Sequence, residues 1–415
     1  MTNDASAGPP PDRHVSTGHL PPTPVVVDLV TEAFTRYRLV SEGIVSQVYP
    51  VLAQADPGLF GLSVVGVDGS AEEIGDATVP FTIMSVAKPF VFALVSQAVG
   101  FEHVRRIVGV NATGLPFNSV EAVDRDPSGR TNPMVNSGAI ATTSLMPGAT
   151  HEVRWAAIVD GLSRFAGRRL ALDEAVLESA SRTNLRNRAV AALLHSVGAL
   201  PGDPSAATDL YTRQSCLSVT AHDLAVMGAT LADGGVNPVT RERVVEPDIA
   251  RVTLAVMTIA GLYETSGDWL LDVGMPGKSG IGGGIVTVSP GKGAFGTFSP
   301  PLDPAGNSVR GQLAARFLTR GLGLDILASE AAGVPPDEAM TQRPSFPESF
   351  RGVWSTCLPA IPPIPALPAA SRARRAGSGR GRAAYRHVGV WNGWLDTACY
   401  GHGASTSEQR RIRCT

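Results

Sequence analysis

Two hairpin signals stand near opposite ends of one long apolar-periodic segment, and helical periodicity fills the space between them. Leu62-Ser63-Val64-Val65-Gly66-Val67 reads as a strand entering a turn at Asp68-Gly69. Ile285-Val286-Thr287-Val288, the turn Ser289-Pro290-Gly291 and the run Ala294 to Phe298 read as a second antiparallel pair. Between them lie helical stretches at Val86 to Val99, closed by Gly100, at Ala156 to Phe165, at Arg188 to Leu194, and at Ala221 to Leu231, closed by Asp233-Gly234-Gly235. This order predicts an α/β protein of the α+β type. Its antiparallel sheet is built from both ends of the domain and flanked by helices, with a helical region inserted.

The periodic segment covers about residues 28–328. Residues 1–27, with Pro9-Pro10-Pro11 and Pro21-Pro22, are expected to form a disordered leader. Residues 329–415 hold Pro335-Pro336, the Pro-rich run Pro359 to Pro368 and the basic stretch Arg372 to Arg386, and are expected to be a disordered tail. A formal charge of -2 with 17% charged residues gives no call for nucleic acid. No stretch reaches about 18 uninterrupted apolar residues, and the polar start lacks the pattern of a secretory signal, so no membrane partner and a cytoplasmic location are expected. Cys216, Cys357, Cys399 and Cys414 show no C-x-x-C spacing, and Cys216 reads as a buried small hydrophobe. The eight histidines contain no pair at metal-ligand spacing, so no metal site is expected.

Only three of the 35 basic residues are lysines, and two of them stand where acyl transfer from a serine would need them. A guanidinium keeps its proton in a protein, whereas a desolvated lysine can serve as a base. In Ser85-Val86-Ala87-Lys88 the lysine follows the serine by three residues, at the expected start of a helix. That spacing puts both on one face, and burial lowers the lysine's pKa toward usefulness. Taken alone the pattern is weak, since at ordinary Ser and Lys frequencies about one or two S-x-x-K matches are expected in a chain of this size.

The second lysine lies in Lys278-Ser279-Gly280, between Gly274-Met275-Pro276-Gly277 and Ile281-Gly282-Gly283-Gly284. These glycines let a backbone or a ligand approach closely, the lysine supplies positive potential, and N–H groups at a strand edge can face a developing oxyanion. The third, Lys292 in Pro-Gly-Lys-Gly, reads as a turn residue. S-x-x-K early and K-S-G late, on those element types, resemble the serine acyl-transferases of the β-lactamase and penicillin-binding class.

The sequence between narrows the resemblance. Gly114-Leu115-Pro116-Phe117-Asn118-Ser119, Asn132-Pro133-Met134-Val135-Asn136-Ser137-Gly138-Ala139-Ile140, Arg186-Asn187-Arg188-Ala189, the run Thr230 to Pro238, Gly261-Leu262-Tyr263 and the run Ser299 to Val309 resemble the serine-dependent glutaminases over about residues 30–327. The resemblance implies a β-lactamase-like fold and hydrolysis of L-glutamine to L-glutamate and ammonia, without metal or organic cofactor, in a homodimer or homotetramer. It implies Ser85 as nucleophile, Lys88 as its activating partner and Tyr263 as the hydroxyl that passes a proton to the leaving ammonia. Asn136, Asn187 and Tyr211 match substrate-binding positions, and Ile281 matches a residue whose backbone meets the substrate. The nearby charge of Lys278 is expected to favour a Tyr263 phenolate.

Three positions depart from the family pattern. Val48-Tyr49-Pro50 displaces an expected tyrosine by one place, so its ring is expected to point elsewhere; Met84 replaces a glutamine; and Ser179-Ala180 replaces a Ser-Glu pair. The last removes the carboxylate expected to hold the substrate's α-ammonium, a charge-assisted bond worth about 1.5–3 kcal/mol. Glu178 is positioned to substitute only if the segment shifts register. Two further readings therefore stand beside a glutaminase: a serine amidase for a substrate lacking a free α-amino group, and a degenerate small-molecule binder.

Overall fold

The computed structural model describes residues 18–328; the expected disordered tail and most of the expected leader lie outside them. Five strands make the central antiparallel sheet: β1 (Gly61–Gly66), β2 (Ala71–Gly75), β3 (Gly277–Ser279), β4 (Gly284–Ser289) and β5 (Gly293–Phe298). Their order is β2-β1-β5-β4-β3, so strands from the two ends of the domain meet at its centre. There Gly61 pairs with Phe298 and Gly66 with Gly293. Both expected hairpins form, with Asp68-Gly69 between β1 and β2 and the Ser289 to Gly293 turn between β4 and β5.

The helices that build the site or cover the sheet are α1 (Thr23–Tyr37), α2 (Ala87–Val99), α3 (Asn136–Ser144), α4 (Glu174–Thr183), α5 (Leu185–Ser196), α6 (Pro204–Ser215), α7 (Ala221–Ala232) and α8 (Val309–Gly321). Alternate residues of the strands feed separate cores, as the two-residue period demands. Leu62 and Val64 of β1, Ile285 of β4 and Phe295 of β5 pack beneath α1 and α8. Val65, Val286, Val288 and Ala294 face α7 and the helical region. The sheet is thus covered on both sides. Contact with α7 is close enough to require glycine, because a Cβ on Gly296 would lie 2.0 Å from the Ala221 carbonyl oxygen.

Helix α1 begins at Thr23, inside the stretch expected to be leader. Pro24 sits at its start, where a missing N–H costs nothing and the fixed φ suits a helix. A second, three-stranded ladder joins Phe81–Thr82, Leu217–Val219 and Ala171–Leu172. It matters because Thr82 pairs with Ser218 and the Ile83 N–H donates to the Leu217 carbonyl at 2.9 Å, which fixes the chain just ahead of Ser85. Among the described residues no helix is long and apolar enough to cross a membrane.

Candidate active site

Ser85 lies in a tight 3-10 turn, Met84–Val86, that runs directly into α2. Met84 holds a left-handed φ of 47°, a conformation that costs a non-glycine residue roughly 1–3 kcal/mol. One turn on, Lys88 is buried with its Nζ 3.0 Å from Ser85 Oγ. The spacing inferred from sequence therefore does bring the two groups together.

Asn136 opens α3, and its position is set by the preceding Asn132-Pro133-Met134. The Asn132 side chain accepts from the Met134 N–H at 2.9 Å, and a Cβ on Gly138 would fall 1.9 Å from the Asn132 carbonyl oxygen. The Asn136 N–H donates to the Phe117 carbonyl. Its side chain then ties three elements together. Lys88 Nζ donates to Asn136 Oδ1 at 2.8 Å, the Tyr211 hydroxyl from α6 donates to the same oxygen at 3.0 Å, and Asn136 Nδ2 donates to Asn187 Oδ1 of α5 at 2.9 Å.

Tyr263 comes from the opposite side, in a short turn whose φ of 58° again falls in the left-handed region. Its hydroxyl donates to the Ser279 carbonyl at 3.1 Å and also faces the Ser85 hydroxyl. Phe117 packs on its ring with centroids 4.7 Å apart. Lys278, on β3, is fully enclosed and donates to the carbonyls of Gly261 at 2.8 Å and Ser279 at 2.7 Å. Ser279 Oγ donates to Asn307, whose amide reaches Thr265 Oγ1 at 3.0 Å, so Asn307 fastens the K-S-G strand to the Tyr263 segment. Gly280 packs so tightly against Ser85 that an added Cβ would lie 3.2 Å from the Ser85 nitrogen. The N–H groups of Ser85 and Ile281 do not join the backbone hydrogen bonds of the surrounding turns and loops.

The electrostatics follow from burial. Desolvation lowers the Lys88 pKa to about 7, which makes the neutral amine accessible near neutral pH. Burial raises Tyr263 to about 12 and Tyr211 well above its ordinary value. Burial, with the charge of Lys88, pushes Lys278 well below its ordinary value. This overturns the expectation of a Lys278-induced phenolate: burial outweighs any effect of the neighbouring lysine, and with its pKa at about 12 Tyr263 stays a phenol at neutral pH.

A cavity of about 140 Å³ opens beside Ser85, and Asn136, Asn187, Tyr211 and Ile281 all line it; Tyr263 closes the neighbouring wall through Phe117. Tyr49 also lines the cavity, contrary to the expectation that its ring points away. It packs against a small apolar cluster that includes Met84, Ala180, Cys216 and Ile281. Glu178 does not replace the carboxylate absent at 180. It sits on the exposed face of α4, paired with Arg182 at 3.4 Å. No Asp or Glu lines the cavity. Phe117, Asn184 and Asn307 had no assigned part in the sequence reading, and their roles come only from loops brought together by the fold.

The sequence profile of the family described as Glutaminase matches residues 43–327. Glutaminase 2 of Yersinia pestis is 63% identical over 317 residues, which is 76% of this chain and 93% of that protein. A glutaminase of Colwellia psychrerythraea is 43% identical over 306 residues, covering 74% of this chain and 98% of the other. Among solved structures, a probable glutaminase, YbaS, superposes with a TM-score of 0.73 at 41% identity, over 74% of this chain and 99% of that one. A Bacillus glutaminase superposes with a TM-score of 0.66 at 29% identity, over 73% of this chain and 100% of the other.

Proposed function

The chain belongs to the glutaminase family, and from that membership and the cavity geometry we propose that it hydrolyses L-glutamine to L-glutamate and ammonia through an acyl-enzyme on Ser85. The observation that carries the serine mechanism is the 3.0 Å approach of Lys88 Nζ to Ser85 Oγ, with the amine's pKa drawn down to about 7. Neutral Lys88 takes the hydroxyl proton as Ser85 Oγ attacks the side-chain amide carbon. The N–H groups of Ser85 and Ile281 receive the oxyanion. When the tetrahedral intermediate collapses, the C–N bond breaks and Tyr263, a phenol at neutral pH, gives its proton to the departing ammonia; the proton that Lys88 took from Ser85 then passes to the phenolate, which restores the neutral amine and the phenol. Water then attacks the ester, and the proton it loses returns to the Ser85 oxygen as glutamate leaves. Asn187 and Tyr211 orient the substrate, with Asn136 holding both them and Lys88 in register.

Ammonia release from L-glutamine by the native protein and by Ser85→Ala tests this reading. Saturable turnover that disappears in the variant, together with mass-tagging of Ser85 by an electrophilic glutamine analogue, is the expected result. Turnover that persists in Ser85→Ala overturns the serine assignment. One observation favours the narrower alternative of an amidase for a substrate without a free amine: no carboxylate lines the cavity. An α-N-acylated glutamine hydrolysed faster than glutamine itself would decide for it.

A further inference from the structure

A glutamine in this cavity brings an α-ammonium, a donor of three N–H bonds that needs acceptors once water is excluded. This argument rests on the reading above, with L-glutamine as substrate. The wall offers no carboxylate, and most of its amide and carbonyl oxygens already have donors. Asn136 Oδ1 receives Lys88 and Tyr211, Asn187 Oδ1 receives Asn136, and the Asn118 carbonyl receives Arg186 Nε.

Asn184 differs from these. It is the junction between α4 and α5, it borders the cavity, and it is 6% exposed. Its backbone N–H donates to the Ala180 carbonyl, which places it one turn beyond the position where a carboxylate is missing. Its Oδ1 is buried without a hydrogen-bond partner. The orientation of the amide is fixed by chemistry. Thr212 Oγ1 gives its only proton to the Thr208 carbonyl at 2.7 Å, so it can only accept from Asn184, whose Nδ2 donates to it at 2.9 Å. The oxygen is therefore the free end, and a buried acceptor left unsatisfied is a standing cost that a ligand's N–H removes.

We propose that Asn184 is a specificity-determining residue whose Oδ1 accepts an N–H from the substrate's α-nitrogen. A neutral oxygen holds an ammonium less tightly than a carboxylate does, so the selection for a free amine is present but modest.

The test compares L-glutamine with glutaramate, the same molecule without its amine. Dissociation constants are measured on Ser85→Ala protein, which needs no turnover, and kcat/KM on protein with Ser85 intact. Glutamine should be preferred by about tenfold, as befits one hydrogen bond to a charged donor. Asn184→Leu should bring the two amides to near equality by weakening glutamine alone. Asn184→Asp, which keeps the shape once Thr212 Oγ1 turns its proton from the Thr208 carbonyl to the new oxygen, carries the test if the leucine variant does not fold and should widen the preference by about another tenfold. An unchanged ratio in both variants, an equal loss for both amides, or no binding of glutamine at all overturns the proposal. Absence of turnover with Ser85 intact, while Asn184-dependent binding persists, would instead overturn the hydrolase reading and leave this assignment standing.

Discussion

The amine of Lys278 rests 4.0 Å from the centre of the Tyr263 ring, and neither group meets bulk water. Its protons go to two carbonyls, Gly261 and Ser279, that flank the tyrosine in space. The lysine thus works as a brace for Tyr263, the proton donor proposed above. Lys278→Met keeps the bulk and strands two buried carbonyl oxygens, so unfolding in denaturant should show a loss of about 1–3 kcal/mol. The variant's kcat should fall by about 10- to 100-fold through misplacement of Tyr263, and a kcat equal to the native value would contradict the bracing role.

The pH dependence follows from the two shifted groups. Lys88 must be neutral to accept the Ser85 proton, so kcat should rise with pH through about 7 as the ammonium is lost. Tyr263 must keep its proton, and with a pKa of about 12 it does so throughout the ordinary alkaline range. A single acid limb with no alkaline fall below about pH 10 is the expected profile. Lys88→Arg places a permanent cation beside Ser85 and should cost at least about a thousandfold in kcat.

Stability should carry the same signature. The unfolded chain keeps lysine protonated up to about 10.4, whereas folded Lys88 releases its proton near 7. Between those values the unfolded state binds more protons, so this group makes stability increase with pH across the window. Below about 7 its contribution no longer changes. Denaturant titrations of the native protein and Lys88→Met at two pH values inside the window should differ in slope, and identical slopes would refute a depressed Lys88.

Gly280→Ala is a steric probe of Ser85, the proposed nucleophile. The new methyl group would sit 3.0 Å from the Ile83 carbonyl oxygen and 3.2 Å from the Ser85 nitrogen, so the backbone around Ser85 must yield by a few tenths of an ångström. The expected result is a fall in kcat of about 10- to 100-fold with little change in Tm. A large drop in Tm with normal specific activity of the folded fraction would place the role of Gly280 in folding alone.

Ala180→Glu puts a carboxylate into a cluster lined by Met84, Cys216 and Ile281. Without ligand it should destabilise by about 1–3 kcal/mol through crowding, a Tm loss of several degrees. Saturating glutamine should restore more Tm to this variant than to the native protein, because the ligand's ammonium offsets the buried charge. Equal ligand-induced shifts would show that position 180 does not face the α-nitrogen.

The two hairpins were legible because their turns carry their own chemistry at Asp68-Gly69 and Ser289-Pro290-Gly291. Helix α3 left no trace of that kind. All nine of its residues are buried, so Asn136–Ser144 has no polar face against which a 3.6-residue period could be read. Helix α1 was hidden by the prolines at its start, and the second ladder has strands of two or three residues, too short for alternation to register. At the site, Ser85 and Lys88 were legible because a single helical turn relates them. The unpaired oxygen of Asn184 was not, since it depends on Thr212 having already committed its proton 28 residues away.

Joining the two ends of the domain at the centre of its sheet has a consequence for how the protein is made. Gly61 waits for Phe298, more than 200 residues later, before β1 has its inner neighbour. At ribosomal rates of about 5–20 residues per second, that interval lasts roughly 10–50 s. Throughout it, Leu62, Val64 and Val65 have no sheet to close over them, and contacts of such long range are slow to form. The nascent chain can carry Ser85, on the Met84–Val86 turn, and Lys88, on α2, and still lack Ile281 and the β3 edge. A chain released before β3 emerges therefore holds Ser85 and Lys88, the proposed nucleophile and its base, without the Ile281 N–H proposed to receive the oxyanion.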